Sequence, residues 1–324
     1  MCLFLGNRKV VLIFKKLPVE ELGHYDCMKN TLFVLFFLIS FELYSQSNYP
    51  PKKVGDAIEY IYKKTKDTDL KVWVFNPKGH VLKEKKPAII FFFGGGYRAG
   101  TPDQFVEHAK YLSSRGMVAI LADYRVSSRH DVKVINSISD GKSLIKWVKK
   151  NGDILGVDIN KIVASGGSAG GNLAASTIML KNFDDPSDNY EFNSVSSAMI
   201  LFNPGLNTVS ERWINNEQAK KRIGTDDYYS ISPYHNIKKE LPPTIIFHGT
   251  ADKTVPFSSA EIFTKKMNEF GNSCILFAYE NKEHGFFNYG RDNNGPFVDT
   301  MNKADDFLVS LGYLEPLPKS ILKN

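Results

Sequence analysis

Six small residues, Gly166-Gly167-Ser168-Ala169-Gly170-Gly171, stand directly after the apolar stretch Ile162-Val163-Ala164 and open a helical pattern over residues 169–180. A strand that reverses sharply into a helix needs such a run, because strand and helix pass too close for side chains between them. A serine at the tip of that turn is lifted above the end of a sheet. Ser168 is therefore a candidate nucleophile, and the rest of the chain has to build the sheet beneath it.

It has the pattern to do so. Pro87-Ala88-Ile89-Ile90-Phe91-Phe92-Phe93 is continuously apolar and ends in three glycines, as suits a strand buried on both faces. Shorter runs recur at 117–122, 161–164, 198–202, 244–247 and 274–277, with helical patterns at 102–114, 134–150, 169–180, 258–270 and 297–311. Thr101 is the expected N-cap of the first helix, with Pro102 at its first position. Alternating strands and helices predict one α/β domain with a mostly parallel, doubly wound sheet. Residues 57–64 and 70–75 alternate around Lys66-Asp67-Thr68-Asp69, which predicts an antiparallel hairpin at the start of the domain. Residues 204–241 break the alternation and carry Trp213, Tyr228, Tyr229 and Tyr234, so a small lid insertion is expected there.

The first 45 residues read differently. From Met28 the chain runs Met-Lys-Asn-Thr, then an apolar run over 32–41, then a polar exit, the order of an export signal and too short to span a bilayer. The expectation is a leader and signal peptide over 1–45 with its true start at Met28, cleavage near Ser45, a catalytic domain over 46–324, and a secreted or periplasmic product without stable membrane insertion. Loss of Cys2 and Cys27 would leave Cys274 alone, so no intramolecular disulfide is expected. The 41 Lys and Arg against 35 Asp and Glu give a net +6, scattered rather than clustered, so nucleic-acid binding is not expected.

A serine needs a base. Of the seven histidines, His248 and His284 lie in distinctive loops, Phe247-His248-Gly249-Thr250-Ala251-Asp252 and Glu283-His284-Gly285-Phe286. Where a strand-turn-helix serine is used, the acid follows it and the histidine comes last. That order selects Asp252 and then His284, leaving His248 to pack the turn and Glu283 as a weaker orienting group. For the developing oxyanion, Gly94-Gly95-Gly96 after the long apolar strand offers backbone N–H groups to converge with that of Ala169. The same glycines also fit a dinucleotide fingerprint with Asp123 as ribose ligand, but the helix starts too late to hold a pyrophosphate. Gly141-Lys142-Ser143 lacks the earlier glycine of a phosphate loop and is better placed on a helix surface.

Taken together, Phe93-Gly94-Gly95-Gly96-Tyr97, Asp123-Tyr124-Arg125, residues 166–171, His248-Gly249-Thr250-Ala251-Asp252 and His284-Gly285-Phe286 resemble the α/β-hydrolase superfamily. The resemblance is to secreted carboxylesterases of the hormone-sensitive-lipase-like and acetyl-xylan/feruloyl esterase-like branch. It implies an α/β-hydrolase fold and hydrolysis of a carboxylic ester, with Ser168 as nucleophile, His284 as base, Asp252 as its orienting acid, and Gly95, Gly96 and Ala169 forming the oxyanion hole. It implies no cofactor and no metal, and a small-molecule or carbohydrate ester as substrate. A serine peptidase or lipase of the same fold, or a non-catalytic hydrolase-like binding module, are the alternatives. One departure is Phe93, where many relatives have histidine; it leaves open how the glycine loop is held, with Tyr97 and Arg98 as nearby polar anchors.

Overall fold

The computed structural model describes residues 4–5, 8–9, 49, 54–188, 191–209 and 215–317. The chain divides into two compact units, Met1–Tyr49 and Pro50–Asn324. In the first, Phe4–Leu5 and Arg8–Lys9 pair as antiparallel strands. The expected start at Met28, the apolar run over 32–41 and the cleavage near Ser45 lie outside the described residues.

In the second unit eight strands form one sheet: β1 (Ile58–Lys64), β2 (Asp69–Phe75), β3 (Lys86–Phe92), β4 (Val118–Ala122), β5 (Val157–Gly167), β6 (Ala198–Phe202), β7 (Thr244–Gly249) and β8 (Cys274–Tyr279). Their order across the sheet is β8-β7-β6-β5-β3-β4-β2-β1. From β4 to β8 every neighbour is parallel, while β2 runs antiparallel to both β1 and β4. The helices are α1 (Val106–Ser114), α2 (Val134–Lys150), α3 (Ala169–Met179), α4 (Glu217–Ile223), α5 (Phe257–Glu269) and α6 (Gly295–Ser310), beside shorter single turns.

The unbroken apolar strands follow from this layering. Ala88, Ile90 and Phe92 of β3 point into a core shared with α2, α3 and α5, whereas Ile89 and Phe91 point into a second core shared with α1 and α6. Both faces must be apolar because both are covered. Each large side chain buried in this way contributes about 1.5–3 kcal/mol. The edges differ: Ile58 and Ile61 of β1 and Ile275 of β8 are exposed.

Two boundaries depart from the sequence reading. β5 begins at Val157 rather than 161, because Val157 pairs with Lys86 before a register shift brings Ile162 opposite Ala88. The first helix opens with a 3-10 turn, Pro102–Phe105, and becomes α-helical only at Val106. Thr101 provides no side-chain cap; its hydroxyl donates to Asp103 Oδ2 at 3.1 Å instead. Lys142 stands within α2, its Nζ donating to the carbonyls of Leu180 and Asn182, which is a brace and not a phosphate loop. In the segment 204–241, Leu206, Ile223, Ile231, Ile237 and Leu241 are all buried in the α2–α3 core. Among the described residues no helix is long and apolar enough to cross a membrane.

Candidate active site

The serine is held where its backbone would not choose to be. Ser168 has φ 55° and ψ −117°, in a region that costs a non-glycine residue about 1–3 kcal/mol. Three hydrogen bonds impose it. Ser168 N–H donates to the Phe202 carbonyl at 2.9 Å, and its own carbonyl accepts from Asn172 at 3.0 Å and Gly205 at 3.3 Å. The flanking glycines make the turn sterically feasible. A Cβ on Gly170 would stand 2.0 Å from the Phe92 carbonyl oxygen, and one on Gly166 would stand 2.5 Å from the Gly170 carbonyl.

The elbow at the end of β5, the loop after β7 and the loop after β8 bring the three expected side chains together. His284 Nε2 lies 2.9 Å from Ser168 Oγ, and His284 Nδ1 lies 2.7 Å from Asp252 Oδ2. Asp252 Oδ1 is occupied separately, by the N–H groups of Thr254 at 2.8 Å and Val255 at 2.9 Å. Burial alone would raise this carboxyl, but bonds from the His248 and His284 rings and the Val255 N–H outweigh it and hold Asp252 below the usual carboxylate range. An ionised carboxylate only accepts, so His284 Nδ1 carries the proton and Nε2 presents its lone pair to the serine hydroxyl.

His248 sits behind this chain. Fully buried, it places Nε2 2.9 Å from the Val255 carbonyl and 3.3 Å from Asp252 Oδ2, so it supports the acid's loop and does not face Ser168. Glu283 is exposed.

The glycine loop after β3 lies against the elbow. Gly94 N–H is taken by Gln104 Oε1 at 2.6 Å. Gly95 and Gly96 have φ of 125° and 64°, which a side chain would resist, and among the described residues their N–H groups and that of Ala169 meet no protein acceptor. Phe93 is buried, its ring stacked on Tyr124 with centroids 4.1 Å apart and its carbonyl accepting the Tyr124 hydroxyl at 2.6 Å. Apolar stacking thus fills the position before the glycines. Tyr97 donates to Asn172 Oδ1 at 2.5 Å, and Arg129 Nη1 donates to the Gly100 carbonyl at 2.8 Å. The dinucleotide alternative fails on this geometry, because the helix that follows the glycines in the chain becomes α-helical only at Val106 and Asp123 is buried rather than open to a ribose.

Asp123 provides a pH test of the loop's support. Burial pushes its carboxyl up to about 8, against the pull of Arg129 and the Tyr124 N–H. The folded chain therefore keeps this proton after the unfolded chain has lost it near pH 4, so the contribution to stability is full below about pH 4 and is lost as pH rises toward about 8. The thermal midpoint is expected to fall across that window, and Asp123→Asn to flatten the fall. An unchanged slope in the variant would show that other groups set it.

Three residues escaped the sequence reading. Asn203, at φ 34°, accepts the Gly285 N–H on Oδ1 at 2.9 Å, and Gln104 and Asn288 are hydrogen-bonded to each other at 3.0 Å. None carries a motif. A polar residue just past the end of a buried strand was the sole signal at Asn203.

A model of the BD-FAE family matches residues 74–267. The apo form of Thermogutta terrifontis esterase 2 is 45% identical, with a TM-score of 0.80, over 84% of this chain and 100% of that one. The same esterase has been solved with propionate bound and with butyrate bound. Esterase LipC of Mycobacterium tuberculosis is 26% identical over 205 residues, 58% of this chain and 50% of LipC. Isoprenylcysteine alpha-carbonyl methylesterase ICME of Arabidopsis thaliana is 24% identical over 217 residues, 61% of this chain and 50% of ICME. The chain thus spans about half the length of these last two relatives. The matched stretch runs from the end of β2 into α5 and so takes in the glycine loop, the serine elbow and the acid, and by that match, on this sheet, the chain belongs to the BD-FAE family of α/β-hydrolases.

Proposed function

We propose that the protein is a serine carboxylesterase acting on short acyl groups, with acetyl or feruloyl esters of carbohydrates among its substrates. The observation that carries the reading is the unbroken chain Ser168–His284–Asp252 on a strained elbow. As Ser168 Oγ bonds to the ester carbonyl carbon, His284 Nε2 takes its proton and the carbonyl electron pair moves onto oxygen. The N–H groups of Gly95, Gly96 and Ala169 receive that oxyanion. Collapse breaks the bond to the alcohol, which leaves with the proton from Nε2. Water then adds to the acyl-enzyme by the same route, and the acid departs as Ser168 regains its proton.

The short-acyl preference is supported by the propionate and butyrate complexes of the Thermogutta esterase. Among the described residues, 204–209 and 215–241 fit a lid beside the site, since Gly205 leaves the sheet bonded to the Ser168 carbonyl. Export is proposed from the basic, apolar and polar order of residues 28–46. A fluorophosphonate probe is expected to label the peptide containing Ser168, and nitrophenyl acetate through butyrate to give the highest kcat/KM in a chain-length series. Best turnover of dodecanoyl or longer esters would replace the reading by a lipase, and no labelling at all would end it.

A further inference from the structure

The glycine loop leaves β3 and the histidine loop leaves β8, and three strands lie between them in the sheet. Sheet hydrogen bonds therefore cannot hold one loop against the other. A chain of side chains does. Gly94 N–H donates to Gln104 Oε1 at 2.6 Å, Gln104 Nε2 donates to Asn288 Oδ1 at 3.0 Å, and Asn288 Nδ2 donates to the Gly285 carbonyl at 2.9 Å. Both amide orientations are forced, because the Gly94 end is a backbone donor and the Gly285 end a backbone acceptor.

Each end lies beside a reacting group. Gly94 precedes the two expected oxyanion donors, and a Cβ on it would stand 3.4 Å from Ser168 Cβ. Gly285 follows His284, and the two peptides that flank its Cα are each held, the N–H by Asn203 and the carbonyl by Asn288. Three successive glycines have wide backbone freedom, and the bond from Gly94 removes part of it at the residue where the loop begins.

We propose that Gln104 and Asn288 are positioning residues, a brace that sets the oxyanion donors and the His284 imidazole at a fixed separation across Ser168. The proposal rests on the esterase reading above. A brace of this kind acts on the transition state rather than on ester affinity, since both amides are spent on Gly94, each other and Gly285. Misplacement by about 1 Å can cost about 10²-fold in rate. Gln104→Ala and Asn288→Ala are each expected to lower kcat for nitrophenyl butyrate about 10- to 100-fold with KM nearly unchanged. Because either cut breaks the same chain, the double variant should be no slower than the slower single one. Affinity for an alkyl trifluoromethyl ketone, which forms a tetrahedral oxyanion on the serine, should fall in step with kcat.

Two milder variants separate the bonds if an alanine form fails to fold. Gln104→Glu keeps the acceptor for Gly94 but not the donor to Asn288, and Asn288→Asp keeps the acceptor for Gln104 but not the side-chain donor to Gly285, whose carbonyl retains the Asn288 backbone N–H at 3.2 Å. Both should slow turnover at constant KM, with thermal midpoints near wild type. Unchanged kcat in an active wild-type background, losses that multiply in the double variant, or a rise in KM alone would each overturn the brace. A wild type that turns over no ester would overturn the esterase reading, and the brace with it.

Discussion

Ser168→Ala is expected to lower kcat/KM for nitrophenyl acetate by about 10⁴-fold or more, because it removes the only atom on the elbow that can form the acyl-enzyme. The same position yields a stability result of opposite character. At φ 55° and ψ −117° any side chain is strained, so alanine inherits the strain and its thermal midpoint should match wild type. Glycine does not. Ser168→Gly should relieve about 1–3 kcal/mol of strain against about 0.5–1 kcal/mol of added unfolded-chain entropy, a net gain near 1 kcal/mol. For a domain of this size that raises the midpoint by about 2–4 °C, in an enzyme with no activity. A glycine variant that melts lower than alanine would mean that the backbone bonds from Phe202, Asn172 and Gly205 do not impose strain, and a Ser168→Ala enzyme within tenfold of wild type would place the nucleophile elsewhere.

The serine elbow was legible because its geometry demands a composition. Gly166 and Gly170 leave no room for a Cβ against the β3 backbone and the turn itself, so the requirement is written in the residues. Asp252 and His284 were legible through order along the chain, since each follows a strand whose apolar run is easy to see. The brace was not. Gln104 and Asn288 are 184 residues apart, and a glutamine in a 3-10 turn or an asparagine in a loop is ordinary in either place. Their pairing depends on how closely two loop ends approach, a property of the folded sheet. The late start of α1 escaped for a related reason: Pro102 fits the first position of an α-helix and of a 3-10 turn equally, and Thr101 bonds Asp103 rather than the backbone. Phe93 shows the reverse case, where sequence raised a question that packing answers, for its ring stacks on Tyr124 while the Tyr124 hydroxyl donates to its carbonyl.

Asp252→Asn changes one atom, and the structure specifies which way the new amide must turn. Oδ1 of Asp252 accepts two backbone N–H groups, from Thr254 and Val255, and an amide nitrogen placed there would meet two donors. The asparagine oxygen must therefore stay at that end, and its NH₂ takes the place of Oδ2, facing His284 Nδ1. A donor there calls for an unprotonated Nδ1, which moves the imidazole proton to Nε2 and aims it at Ser168 Oγ. The base then has no lone pair for the serine proton, although its position is unchanged. A loss of about 10⁴-fold in kcat is expected, with KM much less affected. The same NH₂ also confronts His248 Nε2, 3.3 Å from the replaced oxygen, whose proton is directed toward the Val255 carbonyl. Two donors meeting inside a buried cluster should cost about 1–3 kcal/mol, so the variant is expected to melt lower as well. Asp252→Ala removes that donor clash and leaves His284 unrestrained. If tautomer control is the acid's main task, asparagine should be at least as slow as alanine; an asparagine enzyme much faster than the alanine one would assign Asp252 to holding the ring in place alone.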